Sequence, residues 1–274
     1  RMAEEIRERK SVAAGRSMER ARAEQGRKFE AAAMRFFGRQ AEQVKAALEG
    51  RHKDSGDIWE RLGMTEDEFN ALPGPERERL AEEFVGSLLD WEAQEYVLYG
   101  MFAPLWTETY QKGAEGVKTV YRLNQVQQPA LTDVARLRGG ERIKGITRTT
   151  KESIRKIIVD GLETGKGRKE LTESIMQSMN ANSTRAKVIA AQECNTSLNA
   201  GNFDMATRGG FTEKTWHVTY IPAARDTHKG LNGKTVGLGE AFVTSKGNRL
   251  MMPCDPDCMA AEETVNCHCY LKYS

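Results

Sequence analysis

The last fifty residues carry the most distinctive pattern of this 274-residue chain: Arg225-Asp226-Thr227-His228, then Leu231-Asn232-Gly233, and finally Asn266-Cys267-His268-Cys269. Four of the five cysteines, Cys254, Cys258, Cys267 and Cys269, lie in this short tract. Thiolates and imidazoles are the ligands that Zn²⁺ prefers, and thiols also pair with one another. The sequence therefore predicts that any chemically active site lies in this tract.

Two segments of the same region have the period-two pattern of β-strands. Residues 216–221 alternate aromatic and β-branched side chains. Residues 265–273 place Val265, Cys267, Cys269, Leu271 and Tyr273 on one face. The pair Asn232-Gly233 between them is typical of a hairpin tip. We expect a short antiparallel sheet with both sulfurs of the Cys-x-Cys motif on one side.

The preceding sequence has the composition of helices. Residues 1–49 contain no proline, and their apolar side chains recur at helical spacing, with a break expected near Gly26 or Gly38 because glycine costs roughly 1 kcal/mol relative to alanine in a helix. Residues 50–56 read as a loop. Thr65 and Glu68 form a capping box at the start of a short helix, and the next helix, opened by Pro75, is expected to run to about Tyr99.

Pro129 and then Gly139-Gly140 mark the best boundary in the chain. Three helices are expected after it, the first capped by Thr150 and the last ended by Gly209-Gly210. The predicted fold class is mainly α. A long helical N-terminal region, residues 1–130, precedes a small α+β C-terminal domain, residues 131–274, with the short antiparallel sheet.

Length and composition exclude several classes of protein. A chain of 274 residues buries a core without covalent help, and five cysteines without an export signal argue against a disulfide framework. No run approaches the roughly 18 apolar residues of a membrane span, and the amino end lacks the apolar segment of a secretory signal. We expect a soluble protein made in the cytoplasm. Because Arg1 precedes Met2, we also expect a longer natural chain.

Charge is segregated along the chain. Residues 51–100 hold 13 acidic and 5 basic residues, whereas residues 131–170 hold 11 basic and 6 acidic ones. The basic stretch predicts weak contact with the phosphates of DNA, without sequence specificity because no aromatic residues are interleaved. Solvated helix faces are the alternative interpretation. The candidate contact residues are Arg136, Arg138, Arg142, Lys144 and Arg148.

The cysteine tract allows three interpretations. Cys267 and Cys269 can bind one Zn²⁺ together with Cys254, Cys258 or His228. The same cysteines can instead be small buried core residues, or they can form a disulfide. A disulfide between Cys267 and Cys269 would be strained, because only one residue separates them.

A catalytic interpretation rests on three side chains. Asp226 could orient His228, and Glu193 could act as a general base in a nuclease or transferase-like toxin domain. No serine elbow, His-Glu-x-x-His motif or phosphate-binding glycine loop accompanies them. A zinc-stabilised nucleic-acid binder is a further alternative.

The C-terminal half resembles the phage Mu F-like family of minor head, or head morphogenesis, proteins of tailed bacteriophages. The resemblance rests on short motifs in a fixed order: Arg185-Ala186, Ile189-Ala190 and Glu193 on a helix, a strand around Trp216, Asp226 and His228 leading into Leu231-Asn232-Gly233, and the closing Asn266-Cys-x-Cys. The family usually has arginine where this chain has His268, which weakens any role for a cation there.

The resemblance implies a structural protein of the virion head, not an enzyme. It predicts a position in the head interior near the portal vertex and a role in head assembly, DNA packaging or ejection. The implied partners are the portal protein and the major capsid protein or scaffold. Related domains fused to toxins in some phage proteins are the reason for keeping the enzyme alternative.

Overall fold

The computed structural model describes residues 2–49, 60, 62–131, 133–166, 168–180, 182–219 and 224–274. The predicted loop at residues 50–56 and the predicted strand residues Tyr220 and Ile221 lie outside this part of the chain. Among the described residues, no helix combines the length and the apolar composition that crossing a bilayer requires.

Long helices make up most of the described chain, and short strands follow them. The helices are α1 (Met2–Leu48), α2 (Glu66–Ala71), α3 (Gly74–Leu88), α4 (Trp91–Tyr121), α5 (Asp133–Glu163), α6 (Arg168–Asn180), α7 (Asn182–Arg208), α8 (Asp226–Lys229) and α9 (Ala261–Thr264). The strands are β1 (Glu213–His217), β2 (Thr235–Gly237), β3 (Phe242–Val243), β4 (Arg249–Leu250) and β5 (Tyr270–Tyr273). The predicted fold class, mainly α with a short antiparallel C-terminal sheet, is confirmed.

The chain forms two compact units, each built from separate segments. Unit 1 contains residues 1–31, 102–138 and 187–274, and unit 2 contains residues 32–101 and 139–186. Both units take segments from each side of residue 130. The division into a helical region, 1–130, and a C-terminal domain, 131–274, stays a prediction.

Unit 2 is a helical bundle around an apolar core. Buried residues recur along α5 every three or four positions, which is the spacing that keeps them on one face of a helix. They pack with apolar residues of α1, α2, α3 and α6. The buried residues on this face of α5 include Ile154, Ile158 and Leu162. The ion pair between Arg77 of α3 and Glu163 of α5, 2.8 Å, and the contact of Arg155 with Glu78 join the same two helices at the edge of the core.

Unit 1 contains the sheets. β1 lies in the centre of one sheet, antiparallel to β2 and to β5, with Trp216 opposite Leu271. β3 and β4 form a separate two-stranded ladder. Trp216, Phe242 and Leu271 are buried between this β region and α4 and α7. Cys254, Cys267 and Cys269 belong to the same buried cluster, so the core of unit 1 includes these three cysteines.

Several boundaries differ from the prediction. α1 is continuous through Gly26 and Gly38, and α5 runs through Gly139-Gly140, so neither glycine break occurs. Thr150 lies inside α5, where its hydroxyl donates to the Ile146 carbonyl at 3.0 Å, so it is not a cap. The helix expected to run to about Tyr99 ends at Leu88.

The two predicted strands are also shorter than expected. β1 begins at Glu213 and ends at His217. β5 begins only at Tyr270, because the preceding segment forms α9 and a turn. Cys267 and Cys269 therefore lie just before the strand, not on it.

Candidate functional site

The site begins with the turn that carries His228. Arg225 precedes α8, and its guanidinium donates to the carbonyls of Glu263, at 3.1 Å, and Val265. Because these carbonyls lie at and just beyond the end of α9, Arg225 fixes α8 against α9. Thr227 and His228 are buried on the inner face of α8, whereas Asp226 points outward.

The Leu231-Asn232-Gly233 motif closes this turn on β1. Leu231 is buried, and the Asn232 side-chain oxygen accepts from the Val218 amide at 3.0 Å. Gly233 has φ +77°, in the left-handed region that favours glycine, and its amide donates to the Trp216 carbonyl at 2.8 Å. Each residue of the motif therefore has a structural role in positioning α8 beside the sheet.

The Cys-x-Cys segment is held by hydrogen bonds to its main chain. Arg22 of α1 donates to the Cys269 carbonyl at 2.7 Å, and Asn195 of α7 donates to the Cys267 carbonyl at 3.0 Å. Arg22 also donates to the Asn195 side chain at 2.8 Å. The Thr219 hydroxyl donates to the His268 carbonyl at 2.6 Å. All three carbonyls of the segment are thus fixed by side chains from other elements.

These constraints bring the two sulfurs to the imidazole. The His228 Nδ1 atom lies 3.5 Å from the sulfur of Cys267 and 3.5 Å from that of Cys269. The three ligand atoms lie within 4.8 Å of one another, and all three residues are buried. The structure thus brings the closing thiols and the imidazole of the α8 turn together.

Cys254 approaches the same place from the loop after β4. It is buried, it has φ +56°, and its thiol donates to the Cys267 carbonyl at 3.3 Å. Contacts with the Cys254 and Cys269 side chains, and then with His228, hold the pKa of Cys267 well below the ordinary thiol value, although burial opposes the shift. Contact with Cys267 and then burial raise the pKa of both Cys254 and Cys269.

Glu263 lies on the other side of the imidazole. Its carboxylate is buried and lies 3.1 Å from His228 Nε2, without the alignment of a hydrogen bond. Thr227 donates to the carboxylate at 2.8 Å and Asn248 at 3.1 Å. Burial raises the pKa of Glu263, but these hydrogen bonds and His228 outweigh burial and lower it. An ionised carboxylate at Nε2 favours the proton on that nitrogen and leaves Nδ1 as the lone-pair atom facing the sulfurs.

A cavity of about 420 Å³ opens beside the cluster. Its lining includes His228, Cys267 and Cys269, together with Arg225 and His268. The three clustered side chains therefore lie at the wall of a cavity, although each of them is almost fully buried.

The remaining predicted ligand and motif residues lie at different places. Cys258 is half-buried and is not one of the three grouped ligands. Trp216 is buried and packs edge-on against His228, with ring centroids 5.1 Å apart. Asn266 immediately precedes the Cys-x-Cys segment with φ +55°. Arg185 belongs to unit 2, where it donates to the Ile146 carbonyl at 2.7 Å and lies over the Phe37 ring.

The three residues of the catalytic interpretation have separate partners. The Asp226 side chain is 96% exposed and pairs with Lys229 at 3.0 Å, whereas the His228 side chain is only 2% exposed. Glu193 accepts from the Trp106 indole at 2.7 Å inside unit 1. The carboxylate beside the imidazole is Glu263, so Asp226 does not orient His228 in this structure.

Most of the candidate DNA-contact residues have acidic partners. Arg138 pairs with Asp257 at 2.7 Å, Lys144 with Glu141 at 2.8 Å, and Arg148 with Glu152 at 4.0 Å. Arg142 is half-buried and has its own contact, and the Arg136 side chain lies outside the described part of the structure. These pairs reduce the positive charge that the stretch presents.

Three residues of the site were missed by sequence reasoning. In the sequence, nothing distinguishes Glu263 from the other acidic residues. Only the structure shows that it is buried and lies beside His228. Arg22 and Asn195 lie in helices far from the cysteines in sequence, and their function is to bind main-chain carbonyls.

Comparison with known proteins supports the resemblance for the C-terminal half. Residues 152–272 match the family model described as Phage Mu protein F like protein. No curated protein and no solved structure matches the chain.

Proposed function

We propose that this protein is a structural minor head protein of a tailed bacteriophage that docks at the portal vertex and acts in head assembly, DNA packaging or ejection. The observation that carries the proposal is the match of residues 152–272 to the Mu F-like family. Its implied partners are the portal protein and the major capsid protein or scaffold.

The way in which the motif residues are used supports a structural role. Arg225 and Asn195 bind main-chain carbonyls, and Gly233 closes a turn on β1. Side chains that hold main-chain atoms stabilise a fold and do not act on a substrate. The proposal therefore needs no catalytic step.

Exposed apolar side chains in unit 2 support docking. Tyr96 is 80% exposed, and Met34 and Val97 are also exposed although they lie in long helices with buried faces. Neighbouring apolar side chains that stay exposed among the described residues are typical of surfaces that bind a partner. We assign them to the contact with the portal.

Co-purification tests this function. The full chain is co-expressed with the portal protein of the same phage, and we expect both proteins to elute together. Tyr96→Glu and Met34→Glu should reduce the recovered complex at least tenfold, since a buried unpaired charge would oppose docking. Val12→Glu is the matched control, because Val12 is also exposed on α1 but belongs to unit 1. A wild-type chain that never elutes with portal protein or procapsids would contradict the proposal.

A further inference from the structure

We propose that His228, Cys267, Cys269 and Cys254 bind one structural Zn²⁺ ion. The proposal concerns a metal site and is independent of portal docking. It narrows the five ligands suggested by the sequence, because Cys258 is only half-buried, whereas Cys254 is buried and contacts Cys267.

The distances in the cluster suit tetrahedral zinc. Bonds of about 2.3 Å to sulfur and about 2.05 Å to nitrogen, at the tetrahedral angle, separate the two ligand atoms by roughly 3.6 Å. The His228 Nδ1 atom lies 3.5 Å from each of the two sulfurs. One ion therefore fits among these atoms with little movement of the protein.

Cys254 supplies the fourth ligand. Its sulfur is buried and contacts the Cys267 sulfur, although it stands outside the group of three that lie within 4.8 Å of one another. Rotation about one side-chain bond moves a thiol by up to a few ångströms. Four ligands close the coordination shell, which is the arrangement of structural zinc sites.

The surroundings of the ligands favour a bound cation. Glu263 beside His228 Nε2 completes a carboxylate–histidine–metal arrangement, in which the carboxylate orients the ring and raises its basicity. Three thiolates and one Zn²⁺ carry a net charge of −1. Arg22, which binds the Cys269 carbonyl, places a positive charge near this complex. The cavity lined by His228, Cys267 and Cys269 provides an entry path for the ion.

Metal analysis of the full chain tests the site. Protein purified without chelator should contain about one zinc per chain, and Cys267→Ser and His228→Gln should each lower zinc affinity at least tenfold. Cys258→Ser is the matched control and should retain the metal. Zinc absent from wild-type protein whose thiols are all reduced, or equal zinc in wild type and Cys267→Ser, would overturn the proposal.

Cobalt substitution counts the thiolate ligands from the absorption spectrum of the bound ion. Co²⁺ added to chelator-treated wild-type protein should give the spectrum of a tetrahedral ion, with sulfur-to-cobalt charge transfer. This band should lose about one third of its intensity in Cys254→Ser and none in Cys258→Ser. An unchanged band in Cys254→Ser would remove Cys254 from the ligand set.

Substitution of Glu263 separates its effect on the position of His228 from its effect on folding. Glu263→Gln retains the shape of the side chain but removes its charge, so zinc affinity should fall about tenfold while the far-ultraviolet circular dichroism stays unchanged. Unchanged zinc affinity in Glu263→Gln would contradict the role assigned to this carboxylate.

Discussion

Asn266 adopts a backbone conformation that most residues avoid. Its φ of +55° lies in the left-handed region, where asparagine and glycine are favoured over β-branched residues. This turn directs the following Cys267 into the core, where it meets His228. The asparagine of the Asn-Cys-x-Cys motif is therefore explained by its backbone and requires no ligand.

Substitution of Asn266 tests this explanation. Asn266→Gly should leave the free energy of unfolding within about 0.5 kcal/mol of wild type, whereas Asn266→Val should lower it by roughly 1–2 kcal/mol. Urea unfolding of both variants measures the difference. Equal stability of the glycine and valine variants would show that the backbone conformation is not the constraint.

Lys214 is a buried charge in the central strand. Its ammonium donates to the Met251 carbonyl at 2.8 Å and lies 4.7 Å from the Phe203 ring centroid. Burial lowers its pKa from 10.5 to about 8, against the opposing charges of Asp255 and Glu240. Between these two pH values the unfolded chain holds a proton that the folded chain has released. The free energy of unfolding therefore rises with pH across this window.

Replacement by an uncharged side chain should remove this contribution. The stability difference between Lys214→Met and wild type should change by roughly 3 kcal/mol, in favour of wild type, as pH rises from 8 to 10.5. Comparing the two proteins cancels the titration of groups that they share. Urea unfolding at several pH values gives the two profiles, and parallel profiles would contradict the burial argument.

At the scale of elements, α4 and α7 pack through two glycines. A Cβ atom at Gly201 would lie 1.9 Å from the Tyr110 carbonyl oxygen, and one at Gly113 would lie 2.1 Å from the Leu198 carbonyl oxygen. Neither backbone atom can move without separating the helices. These glycines therefore allow a close contact between the helices that carry Asn195 and Trp106.

Gly201→Ala should destabilise the protein by several kcal/mol, because the helices must move apart and their packed side chains lose contact. Gly26→Ala is the matched control in a helix of the same unit, where nothing lies within 4 Å of the added methyl group. That variant should gain up to about 1 kcal/mol from helix propensity. Thermal unfolding of both variants measures these changes. A melting temperature of Gly201→Ala at or above that of wild type would contradict this account.

Local signals were sufficient for some elements and insufficient for others. The capping box of Thr65 and Glu68 is present as expected, since it depends only on neighbouring residues. The break between α3 and α4 also has a local signal that was missed, because Asp90 accepts from the Ala93 amide as an N-cap. By contrast, α1 and α5 continue through glycines because tertiary packing outweighs a cost of roughly 1 kcal/mol per glycine.

The candidate site was partly predictable for the same reason. The alternation of Cys267 and Cys269 and the proximity of His228 to a turn indicated the cluster, although the cysteines precede β5 instead of lying on it. The catalytic alternative paired Asp226 with the imidazole because the two residues are close in sequence. Glu263 is the actual neighbour, and α9 brings it there from 35 positions away in a way that no local pattern encodes.

Across the whole molecule, each compact unit is built from segments that are far apart in the sequence. The matched region, residues 152–272, contributes to both compact units, and unit 1 also contains residues 1–31 and 102–138. One of these outside segments supplies Arg22, which holds Cys269. The features of the family region therefore depend on residues that the family match does not include.

The predicted contact between the basic stretch and DNA can be tested on the whole molecule. If the basic stretch contacts packaged DNA, Asp257→Asn should tighten binding of the full chain a few-fold at low salt, because Arg138 loses its ion-pair partner and becomes available to a phosphate. The slope of log affinity against log salt should steepen by about 0.9 for one added phosphate contact. Gel shifts between about 50 and 200 mM salt measure both quantities.

Glu115→Gln is the matched control for this prediction. It removes the same charge from an exposed carboxylate of unit 1, which pairs with Lys112 at 3.5 Å. Glu115 lies outside the basic stretch. We expect it to leave the salt slope unchanged, since it releases no side chain of that stretch. If both variants strengthened binding equally, net charge alone would explain the affinity and Arg138 would have no specific contact with DNA. Absence of any wild-type shift at low salt would exclude DNA as a partner of this surface.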